Sequence, residues 1–334
     1  MATADVTVMG AGVFGLSVAY ACARRGAVVR VIDPHGVAAG ASGGLVGALA
    51  PHVPENWNDK KAFQFESLIM AEAFWADVAA LTGHDVGYAR SGRLQPLADA
   101  RAVDLARTRA ESAVTLWQGK ALWQVVPTAD APWMPRSPTG MVVHDTLSAL
   151  IHPRRATRAL ASAVVALGGE VLREGRAEGK VVWATGWHGM QVIGGNGVKG
   201  QAALLRFDAA EQPQLFADAL HIIPHGDGTV AIGSTSERDF DDPTETDSAL
   251  DDVLARAFAA FPVLAGAPVL ERWAGVRPRS KSRAPVLGAH PTREGEYIAN
   301  GGFKIGFGMA PKAGEVMAAL MLDGDDQIPD GFRA

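Results

Sequence analysis

Residues 6 to 33 constrain this chain more than any other stretch. They read Val6-Thr-Val-Met-Gly10-Ala-Gly12-Val-Phe-Gly15, then a small-residue segment to Arg25-Gly26, then Val28-Val-Arg-Val-Ile-Asp33. A short apolar strand, a G-x-G-x-x-G turn, a helix and a second strand ending in an acid make one βαβ unit. Gly10 permits the tight turn, Gly12 lets the backbone approach a pyrophosphate, and Gly15 lets helix and strand pack closely. The helix N-terminus offers N–H groups and the positive end of its dipole to phosphates. Asp33 can accept hydrogen bonds from a ribose diol. The glycines alone are a weak signal. With the strand before them, the helix after them and the acid about 20 residues on, they predict dinucleotide binding rather than a Gly-rich helix start.

The uncharged run 6–23 has the composition of a membrane span or a signal core. It carries three glycines at fingerprint spacing, and Asp5 stands where a basic flank belongs. The fingerprint lies so near residue 1 that no leader is expected, and a cytoplasmic protein is the expectation. At 334 residues the chain has room for two connected domains. Its net charge of −5 and lack of a polybasic run make nucleic acid an improbable partner. The single cysteine, Cys22, excludes an intramolecular disulfide and a cysteine zinc cluster. His221 and His225 fall on one predicted strand, where a spacing of four separates side chains by about 13 Å. No metal site is expected.

Gly40-Ala-Ser42-Gly43-Gly44 through Val46-Gly47-Ala48 to His52 is too rich in glycine for a packed helix and suits a chain skimming a flat ligand. Helical spacing covers about 58–81, with further helices predicted at 100–112, 153–167 and 249–261 and from about Pro311. Strands are predicted at 92–97, 170–172, 181–184, 201–207, 222–233 with a hairpin at His225-Gly-Asp-Gly228, 269–276 and 297–300, with Pro127–Pro138 as a loop. The expected fold class is α/β (α+β, two-domain). A Rossmann-type nucleotide domain (1–84, 140–200 and 285–334) carries an inserted, mostly antiparallel substrate domain (85–139 and 201–284).

These residues resemble the D-amino-acid oxidase family of FAD enzymes, the glycine oxidase branch most of all. The likeness rests on the Gly10–Asp33 fingerprint, Gly40-Ala-Ser42-Gly43 with Gly47-Ala-Leu49, and Val182-Trp-Ala-Thr-Gly186. It continues through Arg272-Trp-Ala-Gly-Val-Arg277-Pro278, Pro285-Val-Leu-Gly288 and Gly301-Gly-Phe-Lys304-Ile-Gly306. It implies an extended, non-covalent FAD, since no cysteine follows Cys22 to tether it. The pyrophosphate would sit at Gly10, Gly12, Val13, Phe14 and Gly15, with the ribose at Asp33 and Pro34. Ala41 and Ser42 would meet the phosphates, Val46, Gly47 and Ala48 the ring, and Gly186 the next turn. The loop Gly302, Phe303, Lys304, Ile305, Gly306 and Phe307 would cover the pyrimidine end. A helix opening at Pro311 would point its positive end at the flavin. The segment between Val171 and Val181 is shorter than the family's, and the implied adenine contact falls near Ala177.

The resemblance makes Arg277 the carboxylate clamp, a bidentate role lysine cannot copy. Taken alone, an arginine closing a strand belongs more often to a surface ion pair. Lys304 either brings a second positive charge to the pocket or points to solvent. His221 stands where relatives place a tyrosine over the substrate, and His52 lines the entrance or is a polar loop residue. The implied reaction oxidises a small amino acid, glycine or a D-amino acid, to the imine by hydride transfer to flavin N5, with dioxygen as acceptor. The alternative is a secondary-amine oxidase or demethylase, of the sarcosine or carboxymethylamino type, including one that acts in tRNA modification. Few tyrosines and the presence of Lys304 favour small or N-substituted glycine-like acids over bulky aromatic ones. Gly40-Ala-Ser42-Gly43-Gly44 also matches the hydrolase elbow G-x-S-x-G, but without a strand directly before it or a helix directly after.

Overall fold

The computed structural model describes residues 3–334. Its first sheet has six strands in the order Val286–Ala289, Tyr297–Asn300, Lys180–Trp183, Val6–Met9, Val29–Ile32 and Glu170–Leu172. Every pairing is parallel except the first. Val6 and Val8 share one face of the strand and are fully buried, Val8 lying against Gly15 of the helix that follows. Thr7 is buried between them, its hydroxyl donating to the Glu178 carbonyl (2.7 Å) and accepting from the Glu178 N–H (2.9 Å).

The helix Val13–Arg24 is buried along nearly its whole length, so its small residues serve close packing on every side. A side chain at Gly314, on the helix Gly306–Ala318, would strike the Ser17 backbone. The long helix Asp59–Thr82 starts with the Asn58 side chain accepting from the Lys61 N–H (3.1 Å) and stops at Gly83 in the left-handed region.

The second sheet has eight strands in the order Val269–Arg279, Asn196–Arg206, Thr229–Gly233, Leu220–His225, Gln214–Ala217, Arg93–Pro96, Met141–Asp145 and Trp123–Pro127. Only Gln214–Ala217 and Arg93–Pro96 pair in parallel. One face, with Ala203, Leu205, Leu215, Ile222 and Ile232, packs on the helix Ser248–Ala260 through Leu250, Val253 and Leu254. The other face turns toward the 44–48 segment of the nucleotide half. The fold is thus the expected mixed α/β architecture with parallel and antiparallel sheets.

Several boundaries differ from expectation. Met141–Asp145 and Asn196–Gly200 lie in strands of the large sheet. The strands Trp123–Pro127, Gln214–Ala217 and Val286–Ala289 are short and rich in Gln, Pro or Gly, which hides them from periodicity. The strand Val269–Arg279 runs past Pro278 because it lies at the sheet edge, where a missing N–H is tolerated. The last helix begins at Gly306, not Pro311. Pro311 sits inside it, and the next N–H, that of Lys312, donates to the Ser67 hydroxyl (3.3 Å).

Candidate active site

The G-x-G-x-x-G turn has the geometry its sequence calls for. Gly10 has φ +116°, and a side chain there would strike the Ala184 carbonyl at the end of the neighbouring strand. One Asp33 carboxylate oxygen accepts from the Ala11 N–H (2.8 Å) and the other from the His35 N–H (2.9 Å), which fixes the acid at the strand end. The first turn of the following helix carries N–H groups with no intrahelical acceptor. The Val13 N–H donates to Ser42 Oγ (2.9 Å), and the Ser42 hydroxyl keeps its own proton to donate. Ser42 therefore supports the turn rather than forming a nucleophile elbow. A Cβ on Gly12 would lie 3.1 Å from the same oxygen.

Gly47 comes so close to the Ile151 carbonyl that no side chain fits there, and a Cβ on Gly302 would lie 2.7 Å from the Phe14 ring. Asn300, buried at the end of its strand, ties these parts together. Its amide donates to the Gly186 carbonyl (2.8 Å) and its oxygen accepts from the Gly301 N–H (2.8 Å). Phosphate-sized turns, a fixed acid and bare backbone at 47 and 302 fit an extended FAD. Ala177 is exposed on the 173–179 loop. That loop reaches the cradle through Arg173, whose guanidinium lies 3.2 Å from where a Cβ on Gly36 would be.

Cross-strand register builds the second half of the site. Phe216, His221, Gly233, Ala202 and Trp273 are paired in one row across five strands and so share a face. Two residues along, Gly200 pairs with Gly275, and Arg277 follows with Val198. The two glycines leave room for large neighbours to lie down on the sheet. A Cβ on Gly275 would be 2.5 Å from the Trp273 ring, and one on Gly200 would occupy the place of the Arg277 guanidinium. The 44–48 segment lies on this same face, with Val46 Cγ2 2.8 Å from a Cβ position on Gly233.

Arg277 is held by oxygens that carry no charge. Its Nη2 donates to Ser234 Oγ (2.5 Å) and its Nη1 to the carbonyls of Lys199 and Thr235 (both 3.4 Å). Burial pushes its pKa down to about 10, with Glu237 acting the other way, so it stays a cation at neutral pH. His221 is pushed down to about 3, first by burial and then by Arg93, Lys304 and Arg277. A neutral imidazole keeps one acceptor nitrogen, and His221 Nδ1 is buried without a partner among the described residues. Arg93, one row behind Phe216, is neutralised by the fully buried Asp145 (3.0 Å).

The loop 301–305 is pinned over Arg277 by the Phe303 N–H, which donates to the Pro278 carbonyl (3.0 Å). This brings Lys304 beside Arg277 at the exposed rim. Burial, Arg277 and Arg283 all hold the Lys304 pKa below its usual value. Arg277, His221 and Lys304, far apart in sequence, therefore share one site. His52 stands apart from them, bonded through its N–H and its ring to Gln64 of the long helix. His225 stacks on His152 (4.8 Å) and bonds the Leu45 carbonyl (3.2 Å). Cys22 is buried in the core, which pushes its thiol pKa up to about 12. Ser234, Gly200, Phe216, Trp273 and Asn300 were not anticipated. Only strand register could have revealed Gly200, Phe216 and Trp273, Ser234 lies just past the strand that ends at Gly233, and a polar residue ending an apolar strand was the one hint of Asn300.

The family described as DAO, FAD dependent oxidoreductase, matches residues 5–320. A glycine oxidase of Pseudomonas putida is 35% identical over 134 residues, 40% of this chain and 36% of that protein. The match thus spans about a third of the relative's length. The glycine oxidase structure from Geobacillus kaustophilus superposes with a TM-score of 0.84 at 21% identity, covering 99% of this chain and 98% of the other. The iminodiacetate oxidase structure from Chelativorans sp. BNC1 gives 0.84 at 20% identity, covering 98% of each. At these identities the structural likeness is one of fold. Among the described residues no helix is long and apolar enough to cross a membrane.

Proposed function

This chain belongs to the DAO family of FAD-dependent oxidoreductases, and from that premise we propose that it oxidises a small amino acid, of glycine or D-amino-acid type, to its imine with dioxygen as acceptor. The carrying observation is the Arg277 guanidinium lying over Gly200 with no carboxylate partner among the described residues, beside an imidazole that stays neutral. A planar fork so placed binds and orients a carboxylate, which is the protein's main share when a cofactor carries the redox chemistry. FAD, when bound, supplies the two-electron oxidant.

The remaining tasks fall to the chain. Positive charge from Arg277 and Lys304 near the substrate nitrogen favours its deprotonated form, the form that can lose hydride from Cα. His221 accepts a hydrogen bond from the amine N–H and fixes its direction. The 44–48 segment and the 301–305 loop exclude water from the reacting carbon. No carboxylate base is needed for this chemistry.

FAD is proposed to be held without a covalent bond. The purified, reconstituted protein should be yellow, release its flavin on acid precipitation, and bleach anaerobically with glycine, sarcosine or a small D-amino acid. Flavin retained by the pellet defeats the non-covalent assignment, and absence of bleaching by every amine defeats the activity. Asp33→Ala should weaken FAD binding by about 1.5–3 kcal/mol, the scale of a hydrogen bond to a charged acceptor. It should also lower the thermal midpoint of the apoprotein, because the Ala11 and His35 N–H groups lose their acceptor. Equal FAD affinity in a flavin titration would mean that Asp33 does not hold the ribose.

A further inference from the structure

Two cations, Arg277 and Lys304, stand at this site with no anion to answer them, and two more, Arg283 and Lys60, follow behind Lys304. Arg277 and Lys304 are set side by side by the bond from the Phe303 N–H to the Pro278 carbonyl (3.0 Å). Arg283 adds its charge to Lys304, and the Lys60 ammonium donates to the Arg283 carbonyl (2.8 Å). Among the described residues none of the four forms an ion pair. Two other partly buried arginines are matched with acids, Arg154 with Glu271 and Arg109 with Glu55 (both 2.6 Å). The nearest acid to Arg277, Glu237, is taken up by Gln201 (3.1 Å), by the Thr235 hydroxyl and by the neighbouring Lys199 ammonium (3.9 Å). In a chain of net charge −5 this local excess is unfavourable when no anion is bound.

Resting on the amine-oxidising reading, we infer that the substrate is an amino diacid, with one carboxylate on Arg277 and a second received at the rim by Lys304. The excess charge fixes which end of the pocket takes the second acid. At the His221 end, Arg93 is already neutralised by Asp145, and the wall is completed by the Phe216 ring, 4.7 Å from His221. Only the Lys304 side has charge left to offer. A monoacid such as glycine would satisfy Arg277 and leave Lys304 unanswered. An N-carboxymethyl glycine or a short acidic amino acid carries the missing charge within one small molecule. An ordinary solvent-facing lysine would discriminate nothing, and it is the alternative that the experiment separates.

The test uses two ether acids that are not amines, so it does not depend on turnover. Oxydiacetate and methoxyacetate differ by one carboxylate and are titrated by calorimetry into the FAD-loaded protein. Oxydiacetate should bind roughly two- to fivefold more tightly, the scale of an exposed ion pair. That advantage should shrink as salt is raised and fall to near unity in Lys304→Met. Equal affinity of the two acids for the unaltered protein overturns the inference, as does an advantage that persists unchanged in Lys304→Met. Bleaching by amines reports separately on the function. If glycine bleaches the flavin while both ether acids bind equally, the diacid assignment fails and the activity stands. If oxydiacetate is preferred while no amine bleaches, the anion site stands and the activity fails.

Discussion

Replacing Arg277 by leucine should leave FAD bound and lower kcat/KM for amino acids by roughly 2–5 kcal/mol, about 30- to 5,000-fold. The unaltered site meets the substrate carboxylate with a fixed, partly desolvated fork. Leucine leaves that carboxylate to enter the same space without a partner, and most of the loss is the cost of an unpaired charge in a dry site. The fold should tolerate the change. Arg277 makes only three hydrogen bonds, all to uncharged oxygens and two of them at 3.4 Å, so its removal breaks no ion pair of the fold. The measurement is the anaerobic rate of flavin reduction across a substrate series. Amines without a carboxylate should be nearly indifferent. If every amino acid reduces the flavin as fast in Arg277→Leu, Arg277 does not clamp the carboxylate.

How much of this could be read from the sequence depends on how local each part is. The fingerprint was legible because Gly10, Gly12, Gly15 and Asp33 lie within one βαβ unit, whose geometry is set by short-range sterics. Its Asp33 contacts to Ala11 and His35 follow from the same turn. Arg277 was legible only with its neighbours Trp273 to Pro278 in view, since an isolated arginine on a strand more often closes a surface pair. His221 could be named, but its neutral state could not, because that state comes from burial and from three cations on other elements.

The floor of the pocket was not legible at all. Phe216, Gly233, Ala202 and Trp273 meet His221 through the register of five strands. A slip of one residue in any of those strands would turn the wrong side chains to the site. Nothing local in Gly200 distinguishes it from a glycine that ends a strand. The helix at 306 was misplaced for the opposite reason, a strong local signal overridden by context. Pro311 reads as a first-turn proline, yet the helix starts five residues earlier and the Lys312 N–H is met by Ser67 from another helix.

Gly200 therefore gives the sharpest check on the architecture. A single methyl added there falls where the Arg277 guanidinium now lies. The guanidinium is the far end of a flexible chain, so the protein should fold and the arginine should move aside. Alanine suits a strand better than glycine, so Gly200→Ala should leave the thermal midpoint of the holoprotein unchanged or slightly raised. Activity should fall nonetheless. A clamp displaced by about 1 Å costs on the order of 100-fold in kcat/KM. Because the methyl acts only through Arg277, Gly200→Ala combined with Arg277→Leu should be no slower than Arg277→Leu alone, a strongly non-additive pair. Independent, multiplying losses in the double variant would show that Gly200 contributes to catalysis by some route other than seating the guanidinium.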